Sequence, residues 1–272
     1  NIVCIISLLI FSLGSYYMGE PYFVTLATRI TIFAMAAVGL NLVLGFGNLI
    51  SFGHAAFFGL GGYVSGILAT HAFNSEPILE WPILFTGSSN LIVIWISTLV
   101  LCSALALVIG FFCLRTSGVY FIMITLAFAQ MLYYFAISWP SYGGEDGLPI
   151  YVRSSLLNID TMNGISFFLI CFFWLMVSLC FTSRIIHSPF GLALRASRYN
   201  LDRVKSVGIA PFRIQLVAFI ISGVITGIAG SLYADLNRFV SPSLLSWQMS
   251  GELIVFIIIG GVGCIYGPLI GA

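Results

Sequence analysis

The sequence predicts an all-α polytopic membrane protein: about eight transmembrane helices, a glycine-broken segment, and a short basic helix laid along the cytoplasmic face. Three observations predict it. Of the 272 residues 60% are hydrophobic and 7% charged, with a mean hydropathy of +1.10, whereas a soluble domain carries roughly 25% charged residues to cover its surface. The apolar residues gather into runs close to the ~20 residues that a helix needs to cross the hydrocarbon core. Finally, Arg184, Arg195, Arg198, Arg203, Lys205 and Arg213 are six of the ten Lys and Arg residues, and they crowd into one stretch flanked by apolar sequence.

Taken in order, the predicted spans are 1–18, 23–44, 54–72, 89–113, 117–138, 165–183, 212–236 and 251–272, forming one transmembrane domain over 1–272. The first lacks a basic leader and a small-residue cleavage site, so no signal peptide is expected there. The chain opens at Asn1 and stops within an apolar run, and it reads as trimmed at both ends. Lys and Arg are retained on the cytoplasmic side, which puts the 184–211 loop in the cytoplasm. Alternation then places Arg115 beside it and both chain ends on that side. Glu20, Glu76, Glu80, Glu145, Asp146 and Asp160 fall outside, with Arg153 and Arg238 in external loops and Arg29 in the outer turn of the second helix.

The basic stretch predicts one helix over about 190–207. Ser188 before Pro189 reads as an N-cap followed by a residue whose φ is already set. Gly208 and Pro211 read as a stop and a restart. Phe190, Ala193, Leu194, Leu201 and Val204 fall on one stripe, and Arg195, Arg198, Asp202 and Arg203 on the opposite arc. A basic loop that only sets topology needs charge but no apolar face, so the caps and stripe point to a surface offered to a partner.

From Gly39 to Gly66 the chain carries eight glycines, a density that disfavours one continuous helix. Gly45-Phe46-Gly47-Asn48 is the expected break. Irregular backbone at membrane depth is tolerated where it is buried in protein or lines a wet cavity; close packing through small residues, as at Gly62 and Gly66, is the other reading of the same glycines. A second run from Gly260 to Gly271 has small residues at 263, 267 and 271, expected at a helix–helix contact, and Pro268 is expected to kink or end that helix. The loop Trp139–Ile165 is rich in Gly, Pro and acidic residues: a solvated loop, or a contact surface for an extracytoplasmic partner.

Much chemistry is excluded. The only lysine, Lys205, follows Val204, so no Gly-Lys-Ser/Thr phosphate loop exists, and any nucleotide that powers this protein binds another polypeptide. There is no HExxH, CxxC or GxSxG pattern. Cys4, Cys102, Cys113, Cys171, Cys180 and Cys264 lie in apolar runs as small packing residues, and His54, His71 and His187 are scattered over the topology, so no metal or other cofactor is expected. Ionisable residues near the external helix ends are Asp235, Glu252 and Arg29, and Arg29 is placed to neutralise either carboxylate. No acid sits mid-helix, which argues against ion coupling.

The stretches GLNLVLGFGNLISFGHAAFFGLGGY, LRTSGVYFIMITLAFAQMLYYFA with a following GGEDGL, FGLALRASRYNLDRVKSVGI and GGVGCIYGPLIGA resemble the permease subunits of branched-chain amino acid ABC importers, the LivM type more closely than the LivH type. The resemblance runs in order from about residue 35 to the end. It implies a permease of the bacterial inner membrane that pairs with a second homologous permease, two cytoplasmic ABC ATPases and a periplasmic substrate-binding protein. The 190–207 helix would be the coupling helix on the ATPase, with Arg195, Arg198, Asp202, Arg203, Lys205 and Gly208 as contacts. Importers of the wider superfamily carry an EAA-x-x-x-G pattern there; Asp202 takes the Glu position and Gly208 the Gly position, while Arg203 and Val204 replace the alanines. A hydrophobic amino acid needs an apolar lining with a few polar groups for its zwitterion, and Asn41, Ser51, His54 and Phe57 are the expected pathway residues. Glu145 and Asp146 are the expected landing site for the binding protein. A urea or short-amide ABC permease and an ion-coupled secondary transporter are the rival readings.

Overall fold

A computed structural model describes residues 2–17, 19–74, 77–79, 85–151, 153–156 and 161–272; Glu76, Glu80 and Asp160 lie outside the described residues. The chain runs α1 (Ile2–Tyr17), α2 (Pro21–Asn41) continuing through a π-turn (Leu42–Phe46), α3 (His54–Asn74), β1 (Pro77–Leu79), β2 (Phe85–Thr86), α4 (Leu91–Cys113), α5 (Val119–Ile137), β3 (Leu148–Pro149), α6 (Gly164–Ile186), α7 (Pro189–Tyr199), α8 (Leu201–Ser206), α9 (Pro211–Asn237), β4 (Phe239–Val240), α10 (Trp247–Gly260) and α11 (Gly267–Gly271). Among the described residues six helices are long and apolar enough to cross a membrane: Pro21–Phe46, His54–Asn74, Leu91–Cys113, Val119–Ile137, Gly164–Ile186 and Pro211–Asn237. The first and last of the eight predicted spans become shorter apolar helices.

The predicted 251–272 span is interrupted for a local reason. Gly261 (φ +100°) and Gly263 (φ +81°) take left-handed backbone that ends α10, a conformation open to glycine at little steric cost. Pro268 then sits in the first turn of α11, where its missing N–H removes no helical bond, so it starts a helix rather than kinking one. The small residues do make close contacts, Gly267 and Gly271 within this hairpin and Gly263 with the turn after α2: a Cβ on Gly260 would collide with Gly267, one on Gly271 with the Phe256 carbonyl, and one on Gly45 with the Gly263 backbone.

Helices α2, α3 and α9 are the most buried and form the centre, with α4, α5 and α6 outside them. Glycine lets this centre close. A Cβ on Gly61 of α3 would collide with the Gly227 carbonyl of α9, and one on Gly230 with the Phe58 carbonyl of α3, so backbone meets backbone where hydrocarbon gives no hydrophobic drive for helices to associate. Gly66 faces Leu148 and Val240. Phe33, Phe58, Tyr233 and Phe256 fill the space beside these contacts. The loops at the end opposite α7 are joined by the β3–β4 pair, Leu148 against Val240.

Candidate functional site

The helix break falls where expected. After Asn41 the helix widens into the π-turn, and Asn48 takes φ +56° before α3 restarts at His54. The exposed backbone of the break is then satisfied piece by piece. Ser51 Oγ accepts from Gly53 N–H at 3.2 Å, and Thr125 Oγ1 accepts from Phe52 N–H at 3.3 Å. Ser250 accepts from Ala55 N–H at 2.8 Å and donates to the Phe52 carbonyl at 2.7 Å. Asn41 reaches across to the turn after α10, where Nδ2 donates to the Cys264 carbonyl at 2.9 Å and Oδ1 accepts from Gly263 N–H at 3.2 Å.

His54 is fully buried at the start of α3. Its Nε2 lies 2.7 Å from Ser222 Oγ, and Ser222 donates its own proton to the Gly39 carbonyl at 2.5 Å. Ser222 therefore accepts from His54, which fixes the Nε2–H tautomer and leaves Nδ1 buried with no hydrogen-bond partner. Phe57 and Phe219 stand edge-on to the imidazole at 5.6 and 5.7 Å. The four pathway candidates are all buried. His54 and Phe57 are brought together; Ser51 belongs to the turn before them, and Asn41 stands apart at the Gly263 junction.

The basic stretch forms two helices, not the single one expected. Asn200 is extended (φ −157°, ψ 107°), and its Oδ1 accepts from the N–H groups of Asp202 and Arg203, both at 3.0 Å. A side chain that offers the backbone this local partner competes with helix continuation. At the front, Ser188 Oγ accepts from Gly191 N–H at 3.4 Å. Leu194 and Val204 are buried on the bundle side, and Gly208 (φ +85°) stands in open space as the chain turns into α9. Asp202, Arg203 and Lys205 are exposed, the first and last as an ion pair at 3.3 Å; Leu192, Tyr199 and Val207 are exposed among them.

Arg195, half-buried, and Arg198, exposed like the residues of that outer face, are both tied back to the bundle by their guanidiniums. Arg195 Nη2 donates to the Ile186 carbonyl at 3.1 Å, and Arg198 Nη1 to the Gly45 carbonyl at 2.6 Å. Both acceptors lie where regular helix ends and carbonyls lack intrahelical partners, and an arginine stem is long enough to wrap back to them. Arg198, Asn48, Arg115, Lys205 and Gln215 border a cleft of about 700 Å³ at this end.

At the opposite end Asp235 is buried, and its Oδ1 accepts from Ser65 and Ser154 hydroxyls at 3.1 and 3.0 Å. Arg153 closes the C-terminus of α9: Nε donates to the Asp235 carbonyl (3.2 Å), Nη2 to Leu236 (3.3 Å) and Nη1 to Thr161 (2.8 Å), with the guanidinium over the Phe167 ring. Burial, and then the nearby Arg238, hold its pKa below the usual arginine value. Arg29 pairs with neither carboxylate; it donates to Asn237 Oδ1 at 3.3 Å and lies over Tyr233. Glu145 and Asp146 are exposed at the tip of a loop shaped by Gly143 (φ +88°) and Gly147 (φ +84°). Sequence reasoning missed Ser222, Ser250, Thr125, Arg153 and Ser154, whose partners lie far off along the chain and leave no local pattern.

The profile of one family, described as the branched-chain amino acid transport system / permease component, matches residues 22–272. The high-affinity branched-chain amino acid transport permease LivM of Escherichia coli K12 is 24% identical over 98% of this chain and 65% of its own length. A probable LivH permease of Methanocaldococcus jannaschii is 34% identical over 31% of this chain and 26% of its own. The autoinducer 2 import permease LsrC of Photorhabdus laumondii is 28% identical over 31% and 27%. The chain thus spans 65% of the length of the LivM proteins it matches, and no solved structure matches it. Because the family match extends through the broken α2–α3 segment, α7–α8 and the α10–α11 turn, the chain belongs to the branched-chain amino acid transport permease family.

Proposed function

We propose that this chain is a permease subunit of an ATP-binding cassette importer, carrying branched-chain amino acids across the bacterial inner membrane. Two cytoplasmic ATPase subunits hydrolyse the ATP, a second homologous permease completes the path, and a periplasmic protein delivers the substrate. The observation that carries this reading is α7–α8. A capped helix pair at one end of an apolar bundle buries Leu194 and Val204 inward and exposes Leu192, Tyr199, Asp202, Arg203, Lys205 and Val207 outward. That is a surface shaped to be gripped.

In this reading the outer face of α7–α8 seats on the ATPase, Gly208 gives the turn into α9, and Arg195 and Arg198 fasten the segment to the bundle. That end of the bundle is cytoplasmic. ATP-driven closure displaces α7–α8, and the spans reorient around a path beside the α2–α3 break, near Asn41, Ser51, His54 and Phe57. Glu145 and Asp146, on the opposite face, receive the binding protein through its basic residues.

Co-purification tests the class: the chain expressed with its neighbouring subunits should bring ATPases with it, and proteoliposomes of the complex should accumulate leucine, isoleucine or valine only with ATP inside. Reversing charge at Asp202, Arg203 and Lys205 together should abolish that uptake while the chain stays in the membrane fraction. ATP-independent uptake by the purified chain, or full uptake by the reversed variant, would refute the reading.

A further inference from the structure

Two interruptions of the membrane helices meet at one point, and a side chain of α7 is bonded into it. Arg198 Nη1 donates to the carbonyl of Gly45, inside the π-turn that follows α2. A Cβ on Gly263 would stand 3.4 Å from that same carbonyl oxygen and 3.7 Å from Arg198 Nη1, so the guanidinium, the π-turn and the α10–α11 turn are in contact. Asn41, one helical turn before Gly45, ties the two interruptions together through Gly263 N–H and the Cys264 carbonyl. Leu194 lies one turn before Arg198 and is buried with Leu42 and Phe46 of the π-turn, so the two stand side by side on α7 and not on the opposite arcs expected from the sequence. Residues four apart on a helix share a face. Helix α7 therefore holds the π-turn by one apolar and one charge-assisted contact.

The two contacts differ in what they transmit. An apolar contact slides, whereas a charge-assisted hydrogen bond is short and directional. The π-turn is the part of α2 best able to respond, because its i→i+5 ladder is a local defect that can shift by a residue. We infer that Arg198 is the link through which displacement of α7–α8 moves the α2 π-turn and, by way of Asn41, the α10–α11 turn. It is a positioning residue inside the permease and not a contact to the ATPase. The inference rests on the proposed reading of α7–α8 as the docking segment and deepens it.

The test uses the whole complex in proteoliposomes with radiolabelled leucine, comparing wild type, Arg198→Met, which keeps the stem and removes the donors, and Arg198→Lys, which restores one donor. Three quantities are read: ATPase recovered with the chain, ATP hydrolysed, and leucine taken up. Arg198→Met should retain the ATPase and hydrolyse ATP within about twofold of wild type, while uptake falls about tenfold, the loss of one charge-assisted hydrogen bond read as a rate. Arg198→Lys should fall between the two. Wild-type uptake by Arg198→Met overturns the inference. So does a fall of hydrolysis and uptake in step, or loss of the ATPase from the preparation, which would make Arg198 a docking contact. If Arg198→Met fails to elute as one species, Arg198→Lys decides: reduced uptake at full hydrolysis supports the link, and proportionate loss of both overturns it. A wild-type chain that purifies without any ATPase sinks the reading of the proposed function instead, and is told apart because no substitution is involved.

Discussion

Substituting Gly39 by alanine should separate close packing from mere flexibility as the reason for glycine in α2. A Cβ at Gly39 would stand 2.8 Å from Thr226 Oγ1, 3.0 Å from the Ser222 carbonyl oxygen and 3.2 Å from Ile225 Cβ, whereas 3.4–4 Å is ordinary contact. Helices α2 and α9 must part by roughly half an ångström, and overpacking of this kind costs about 1–3 kcal/mol. The same displacement stretches the Ser222 bond to the Gly39 carbonyl and loosens the His54–Ser222 pair behind it, at about 0.5–1.5 kcal/mol. Alanine recovers about 1 kcal/mol of helix propensity, so the net loss is about 0.5–3.5 kcal/mol. At about 2–4 °C per kcal/mol for a chain of this size, the purified protein in detergent should melt roughly 1–14 °C lower. Gly251→Ala is the control. Nothing lies within 4 Å of a Cβ there, so only the propensity gain of about 1 kcal/mol remains and the melting temperature should rise by a few degrees. Opposite signs for the same chemical change are the result expected; a Gly39 variant as stable as the Gly251 variant would refute the packing argument.

Three further outcomes are expected. Asn200→Ala removes the acceptor for two N–H groups at the start of α8 and should cost about 1 kcal/mol, read as faster hydrogen exchange confined to residues 201–206. Asp235→Ala strands the buried Ser65 and Ser154 hydroxyls at about 1–3 kcal/mol each, whereas Asp235→Asn keeps an acceptor, so melting temperatures should fall in the order wild type, Asn, Ala. His54→Ala removes the donor to Ser222 and the ring between Phe57 and Phe219; leucine uptake by the reconstituted complex should slow severalfold, and unchanged kinetics would remove His54 from the pathway.

The parts of the fold legible in the sequence are those set by neighbours along the chain. The break at Gly45–Asn48, the Ser188–Pro189 start and the turn at Gly208 all depend on what one or two residues do to their own backbone, and all stand where expected. Gly261 and Gly263 carried the same kind of signal, but their run reads more readily as packing glycines, and their left-handed φ removed a predicted span. Asn200 was missed for a related reason: inside a run of good helix formers its side chain outcompetes the continuing helix by capping its own next turn. Arg195 and Arg198 show a different limit. A helical wheel fixes where a Cβ sits, not where a long stem ends, and both guanidiniums curl back to carbonyls that only the folded bundle brings near.

That curling bears on why so irregular a chain can persist in hydrocarbon at all. A π-turn, a left-handed asparagine and two left-handed glycines each weaken the local hydrogen-bond ladder, and a lipid-exposed group left unpaired costs several kcal/mol. The remedy is mutual. Asn41 of the first interruption answers Gly263 and Cys264 of the second, Ser250 of α10 answers Phe52 and Ala55, and Arg198 answers Gly45. Charged side chains are scarce in this sequence, at 7%, and the groups just named stand where the backbone is broken. Such an arrangement holds only while the interruptions stay in register, so a change in one is felt at the others. The glycine breaks and the basic helix, separate features in the sequence, are on this view one mechanical unit, with Arg198 as the charged bond that joins them.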